Sequence, residues 1–405
     1  METEQNIEQL RLLSLSLLNS VESLKPRHIV SELNATLKRA PRIKLLRGFR
    51  GVGKTTAMLH VFGENKDKAI YFSADNPLIK QHGIYNTARS AVKRGFVIIL
   101  IDEIHTYPEW RGELKALNDE FPAIFIIASG SAPLALVPER REELICLHEM
   151  NLLEMIMLKK GDAGAAQEEW KDKEKTINFI ATAKSIEADF QAYMRTGGFP
   201  LSLALEQNLA LDAIFYSIKK SVREDAVYFL KMSKEKVFAM ENLLNFLASS
   251  KPGELSITSL SSTLHISKTT VYEIIDALEG MEIIRVIRPY AKGAALVRAE
   301  PKLLFFHPNM RFAVCKQLGL NPEIGSVREE LAVFGFSECG WTIHTVRGEK
   351  KSPDYVIEKN GETNVVEIGG ERKGKAQLKG FKNRLVVSEY QLIPLLMVAK
   401  SAKND

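Results

Sequence analysis

The spacing of apolar residues along the chain changes period several times. Leu10, Leu13, Leu17, Val21 and Leu24 recur at steps of three and four, the stripe of an amphipathic helix over residues 1–24. Three strand-like runs follow, at 43–47 with Lys44 and Arg47 among its aliphatic residues, at 96–101 without a polar break, and at 121–128. Unbroken, β-branched and aliphatic, 96–101 reads as a strand buried on both faces of a parallel sheet, and the other two read as strands. A helix-period segment, 56–62, leaves the first of them, so residues 25–158 predict an α/β domain. The polar stretch 159–164 reads as a loop that ends this sheet, and a helical region continues to 235.

Residues 236–300 carry a different pattern. Phe238, Leu243, Leu244, Phe246 and Leu247 predict one helix and 259–264 a second. His265-Ile266-Ser267 reads as a tight turn, 269–279 as a third helix capped by Ser267, and 283–287 as a strand. This is the order of a winged helix-turn-helix, whose third helix would present Lys268, Thr269, Thr270 and Tyr272 to a DNA groove. Glu273, Asp276 and Glu279 share that helix, and such modules also bind proteins, so both partners stay open. Residues 301–405 turn α/β again, with an amphipathic helix over 325–334 and strand-like runs at 341–346, 353–357 and 364–370.

Composition narrows the class. The 405 residues are 45% hydrophobic and 26% charged, an ordinary globular mixture long enough for several cores. A net charge of +5 permits a nucleic-acid partner without arguing for one. Cys146, Cys315 and Cys339 are too few and too scattered for a disulfide framework or a thiolate zinc site, which fits a reducing cytoplasm. Glu2, Glu4 and Glu8 stand where a signal peptide needs positive charge, and no run approaches a membrane span, so a soluble cytoplasmic protein is expected.

The candidate chemistry sits at the strand ends. Gly48-Phe49-Arg50-Gly51-Val52-Gly53-Lys54-Thr55, followed by Thr56, has the spacing of a Walker A loop between strand and helix. Its backbone N–H groups would wrap the phosphates of a nucleoside triphosphate, with Lys54 on the terminal phosphates and Thr55 on Mg²⁺. The run 96–101 ends in Asp102-Glu103. An Asp there can hold the metal shell, and the following Glu can polarise a water against the γ-phosphate. The next run ends in Ser129-Gly130-Ser131, where either hydroxyl suits a phosphate sensor, although serine after a strand is also an ordinary turn residue. Arg140-Arg141 read either as an arginine finger for a neighbouring subunit of a homo-oligomer or as a solvated basic patch beside Glu139, Glu142 and Glu143. Gly197-Gly198-Phe199-Pro200 is by default a chain reversal; in a helical lid, Pro200 would pack on the adenine and Arg195 approach the phosphates.

In the last region Glu329, Asp354 and Glu367 match the acids by which nucleases hold Mg²⁺ near a scissile phosphate. Gly369 stands where a lysine is expected, leaving Lys373 or Lys375, with Gln377 beyond. The missing lysine favours an inactive, nuclease-shaped domain, since one lost member of a cooperating set removes most of its catalysis.

Taken in order, these motifs resemble the AAA- and STAND-type P-loop ATPases of bacteria and archaea that join a winged helix to a restriction-endonuclease-like, PD-(D/E)xK-like C-terminal domain. The resemblance rests on residues 48–56, on Asp102-Glu103-Ile104-His105 continuing to Tyr107-Pro108-Glu109-Trp110, and on Ala128-Ser129-Gly130-Ser131. Gly197-Gly198-Phe199-Pro200, residues 325–330 and Glu367-Ile368-Gly369-Gly370 extend it. It implies ATP and Mg²⁺ as cofactors, hydrolysis on Lys54, Thr55, Asp102 and Glu103, and Ser129 as sensor in place of the family's usual Thr. Many relatives carry Lys directly after the double glycine, where this chain has Glu371-Arg372-Lys373. The expected architecture is therefore a P-loop parallel sheet, a helical lid over 159–235, a winged helix over 236–300 and a nuclease-like domain over 301–405. Two rival activities stand beside an ATPase: a nucleotide-gated DNA-binding regulator with little hydrolysis, and an ATP-controlled, Mg²⁺-dependent nuclease.

Overall fold

The computed structural model describes residues 2–39, 41–183, 185–251, 255–290, 300–346, 353–369 and 383–399. By its contacts the chain divides into two units, Met1–His148 and Glu149–Asp405. Among the described residues no helix is long and apolar enough to cross a membrane.

The first unit is built on five strands, β1 (Ile43–Arg47), β2 (Ala69–Ser73), β3 (Ile98–Asp102), β4 (Phe125–Gly130) and β5 (Glu142–Cys146). All pair in parallel, in the order β2-β3-β4-β1-β5. Every residue of β3 is buried, as its unbroken apolar run predicts. Helices Ile84–Val92 and Trp110–Glu120 lay Ile84, Ala88, Ala91, Leu114 and Leu117 against Ile70, Phe72, Ile99, Ile101 and Ile126. Each Leu, Ile or Phe side chain among them contributes about 1.5–3 kcal/mol on burial. The expected third strand starts later, at Phe125, and runs on to Gly130, so that Ser129 lies inside it.

Helix α1 (Glu2–Val21) forms as expected but is rotated from the expected face. Ile7, Leu10, Ser14 and Val21 are buried, whereas Leu13, Leu17 and Leu24 are exposed. Both faces fit a helical period. The buried one includes a serine, whose hydroxyl donates to the Tyr71 carbonyl on β2 at 2.6 Å and to Leu10 O at 2.7 Å. Hydropathy gives such a hydrogen bond no weight.

The second unit begins ahead of the boundary expected at 158. Helix α3 (Leu152–Lys160) is capped by Asn151, and its Leu152, Leu153, Met155 and Ile156 join a core with Trp170, Phe334 and Phe336; α2 of the first unit is Lys54–Glu64. Helices over Lys173–Thr182, Ile186–Ala192, Gln207–Lys220 and Ala226–Leu230 come next, then α4 (Lys234–Ser249), α5 (Ile257–Leu264) and α6 (Lys268–Gly280), and an antiparallel ribbon of β6 (Ile284–Ile287) with β7 (Lys302–Phe305). After α7 (Pro308–Gln317) and α8 (Ile324–Glu338) comes a four-stranded sheet of β8 (Thr342–Thr345), β9 (Tyr355–Lys359), β10 (Glu362–Ile368) and β11 (Arg384–Val387). Its order is β11-β10-β9-β8, with β10 and β11 parallel and the other pairs antiparallel; α9 (Glu389–Leu396) closes it.

The regions expected as lid, winged helix and terminal domain are joined within this unit. Tyr290 N donates to Thr345 O at 2.8 Å and Thr345 N to Arg288 O at 3.1 Å, stitching the chain after β6 to β8. Buried Arg311 on α7 donates Nε and Nη2 to Glu330 on α8 at 2.8–3.0 Å, and Nη1 to the carbonyls of Leu247 and Ala248 on α4. The Gly-Gly pair is a packing device here. A Cβ on Gly198 would lie 2.5 Å from His307 Cε1, and Gly198 N donates to Asn309 Oδ1 at 2.7 Å. Asn309 Nδ2 donates in turn to the carbonyls of Tyr193 and Met194. Those carbonyls are freed by one i→i+5 turn, Tyr193–Gly197, which interrupts the α-helical ladder.

Candidate nucleotide-binding site

The loop 48–53 leaves β1 and enters α2. A Cβ on Gly48 would sit 2.1 Å from the Leu147 carbonyl, so no other residue fits there without moving β5's end. Gly53 caps α2 at φ +94°, a left-handed conformation that opens the helix N-terminus toward the loop. Lys54 is buried, and its ammonium donates to Gly48 O at 2.7 Å and Phe49 O at 2.9 Å. From outside the motif, buried Arg27 donates to Val52 O at 2.5 Å and pins the crown of the loop.

Asp102 is the node of the site. Because β4 lies between β1 and β3, its Ser129 stands between the loop and Asp102. Asp102 Oδ1 accepts from the Ser129 hydroxyl and from Glu103 N at 3.0 Å. Oδ2 accepts from the Thr55 hydroxyl at 2.6 Å and the Tyr71 hydroxyl at 3.0 Å. All four donors are neutral, so the carboxylate is fixed in place without being neutralised. Burial first, and then the charge of Asp102, pushes the Tyr71 phenol above its ordinary range, so it stays a donor.

Glu103 follows in a left-handed conformation, φ +49°, which costs energy for a non-glycine residue and turns its side chain away from the strand direction. Its Oε2 accepts from the Ser131 hydroxyl at 3.0 Å and lies 3.2 Å from His105 Nδ1. Burial and the neighbouring Asp102 raise its pKa, while Lys54, Ser131 and Arg50 pull it back. A carboxylate whose pKa is raised by burial is better suited to take a proton from water.

The sequence-derived residues thus divide plainly. The structure brings Lys54, Thr55, Asp102, Glu103, Ser129 and Ser131 together, with Ser129 on Asp102 and Ser131 on Glu103. Arg141 is paired with Asp119, and exposed Arg140 engages Arg42 through its carbonyl at 3.4 Å. Arg195 is exposed and Pro200 half-buried, both in the second unit. Tyr71, Arg27 and His105 are new. Only His105 had a signal, through its place beside Asp102-Glu103; the other two depend on pairings far apart in sequence.

The acids of the terminal domain are arranged differently from expectation. Among the described residues no group of three His, Cys, Asp or Glu side chains is placed to hold a metal ion. Glu329 accepts from the Tyr355 hydroxyl at 2.6 Å and is paired with Lys302. Asp354 Oδ2 accepts from Ile368 N at 2.8 Å, binding β10's end, and Glu367 is buried. Glu329 and Asp354 are thereby committed to protein partners. Lys373, Lys375 and Gln377 lie outside the described residues.

The hydroxyl and carboxylate oxygens of Thr55 and Asp102, the buried lysine and the glycine-permitted loop fit Mg²⁺ and a polyphosphate, since hard cations take oxygen donors and loop amides take anions. Comparison with known proteins agrees at this level. Residues 40–157 match the family described as AAA domain, and 187–322 match a domain of unknown function (DUF8612). The chain therefore carries an AAA-type P-loop domain. It is 26% identical over 370 residues to the uncharacterized protein MJ1637 of Methanocaldococcus jannaschii, covering 84% of this chain and 78% of that one. Among solved structures it is similar to a Walker-type ATPase of Pyrococcus abyssi, at 13% identity and a TM-score of 0.43, covering 73% of this chain and 99% of that one. It is also similar to the RuvB Holliday junction branch migration motor of Thermotoga maritima, at 15% identity and a TM-score of 0.32, covering 79% and 95%.

Proposed function

We propose that the first unit binds ATP with Mg²⁺ and hydrolyses it to ADP and phosphate, and that nucleotide state is passed to the second unit. The observation that carries this reading is the Asp102 node, where the Thr55 hydroxyl donates to a carboxylate directly followed by a half-buried Glu103 whose pKa is raised. Bound Mg²⁺ and the triphosphate would supply a phosphoryl group whose developing charge is partly neutralised. Lys54 offers that charge an ammonium, at present held by two loop carbonyls. Thr55 points its single hydrogen at Asp102 and so leaves its lone pairs for a cation. Glu103 orients a water and accepts its proton, with Ser131 holding one of its oxygens.

For the second unit we read α4, α5 and α6 with the β6–β7 ribbon as a winged helix, and α8 through α9 as a nuclease-shaped module without cleavage activity. Support comes from Lys268, Thr269 and Tyr272, which are exposed at the start of α6, and from the commitment of Glu329 to Lys302 and Tyr355. Glu273 on α6 is paired with Lys236, which removes one repulsive charge from that face. Duplex DNA is the partner this reading favours.

The test is steady-state ATP hydrolysis by the wild type and Glu103→Gln, each with and without duplex DNA. Turnover that DNA stimulates and Glu103→Gln lowers at least about a hundredfold supports the reading. Equal phosphate release by both proteins would overturn it, and turnover blind to DNA would move the partner search to proteins.

A further inference from the structure

We propose that Tyr71 is a positioning residue for metal-bound nucleotide: its hydroxyl, on the same oxygen of Asp102 that receives Thr55, fixes the direction in which Thr55 offers its lone pairs to Mg²⁺. The inference rests on the nucleotide-binding reading of the same site. A carboxylate oxygen has two lone-pair directions in its plane. Tyr71 takes one of those on Oδ2 at 3.0 Å, so Thr55 is left with the other at 2.6 Å. On the opposite side, Oδ1 is filled by Ser129 and Glu103 N, and the carboxylate cannot rotate without breaking several bonds at once.

Tyr71 comes from a strand outside the Walker motifs, and the parallel register explains its reach. Ser73 pairs with Asp102 and Tyr71 with Leu100, so Tyr71 lies two residues back from Ser73 on its strand and extends its ring along the sheet to the end of β3. Only 3% of it is exposed. Its own main chain is held by Ser14 of α1, which donates to the Tyr71 carbonyl at 2.6 Å. Phenylalanine would fill the same volume and serve packing equally well. The hydroxyl is therefore explained by Asp102.

The experiment compares Tyr71→Phe with wild type by calorimetric titration of ATP, with and without Mg²⁺, and by the Mg²⁺ concentration giving half-maximal hydrolysis. The tightening of ATP binding by Mg²⁺ should fall about five- to tenfold, with a matching rise in half-maximal Mg²⁺, while metal-free ATP binds within about twofold of wild type. An unchanged Mg²⁺ effect would overturn the proposal. So would an equal loss of metal-free and metal-bound affinity, which marks a purely structural role. Ser14→Ala, which frees the Tyr71 main chain but keeps the phenol, gives a second reading: a rise of about two- to threefold in half-maximal Mg²⁺ supports the proposal and no rise counts against it. If the wild type binds ATP no better than Lys54→Ala does, the nucleotide reading itself fails, an outcome separate from the others.

Discussion

Two buried acids among the described residues accept a hydrogen bond from a buried tyrosine, and they differ in what surrounds them. Asp102 takes Tyr71 together with three other neutral donors. Glu329 takes Tyr355 together with the ammonium of Lys302. The first arrangement holds a negative charge in place and leaves it available to a cation. The second cancels the charge within the protein. In sequence each is simply one of two adjacent acids, Asp102-Glu103 and Glu329-Glu330, in an α/β pattern. The distinction lies in the partner, since a charged donor neutralises where a hydroxyl only orients.

Conservative amide substitutions break the comparison most directly. Asp102→Asn keeps the shape but loses the charge and two acceptor directions. Hydrolysis should fall by about a hundred- to a thousandfold, roughly 3–4 kcal/mol of barrier. Glu329→Gln should leave hydrolysis within about twofold and lower the stability of the second unit by roughly 1–2 kcal/mol as Lys302 loses its partner. Phosphate release and urea unfolding of both variants measure the two axes. Loss of activity in Glu329→Gln would give that acid a function the comparison denies it.

Arg311 and Glu330 supply the extreme of the neutralised kind, both almost wholly removed from water. Arg311→Leu leaves Glu330 buried without its cation, and Phe305 N donating at 2.9 Å is insufficient compensation. The expected cost is about 3 kcal/mol of second-unit stability, read by chemical denaturation. The double variant Arg311→Leu, Glu330→Leu should recover most of it, because burying neither charge avoids the desolvation.

The contrast also explains what the sequence could and could not reveal. The Walker loop, the strands β1 and β3 and the pair Asp102-Glu103 are legible because contiguous residues and backbone geometry carry them. Tyr71 and Arg27 were silent because their roles follow from strand order and from a hydrogen bond across the loop. The buried face of α1 departs from its apolar stripe because Ser14 is buried for a hydrogen bond to β2. The triad Glu329, Asp354 and Glu367 was legible as acids near strands, but the claim of Lys302 and of Ile368 N upon them was not. Gly197-Gly198 reads in sequence as a chain reversal, and its role as a close approach is hidden because its partners, His307 and Asn309, stand more than a hundred residues later.

His307 yields the last and smallest effect, and it tests whether the second unit is held by neutral groups as the Asp102 site is. The imidazole is buried. Its Nδ1 accepts from Asn309 N at 3.3 Å, so Nε2 carries the proton, donating to the Tyr193 hydroxyl at 3.0 Å, which donates to Met150 O at 2.9 Å. A second proton on Nδ1 would face an N–H donor. Burial, with Arg285 nearby, lowers the pKa from 6.5 to about 3. In the unfolded chain this histidine charges below about pH 6.5, whereas in the folded unit it stays neutral, so the unfolded state binds the extra proton and gains as pH falls. Stability is therefore full above pH 6.5 and is lost between there and about pH 3. The slope from this one group is at most about 1.4 kcal/mol per pH unit. Urea unfolding at pH 7 and pH 5.5 should show a loss of roughly 1 kcal/mol that His307→Gln reduces, even though the variant is less stable at pH 7. An undiminished pH dependence in His307→Gln would mean that the proton is taken up elsewhere and that the locked turn at Gly198 is not the acid-sensitive joint of the unit.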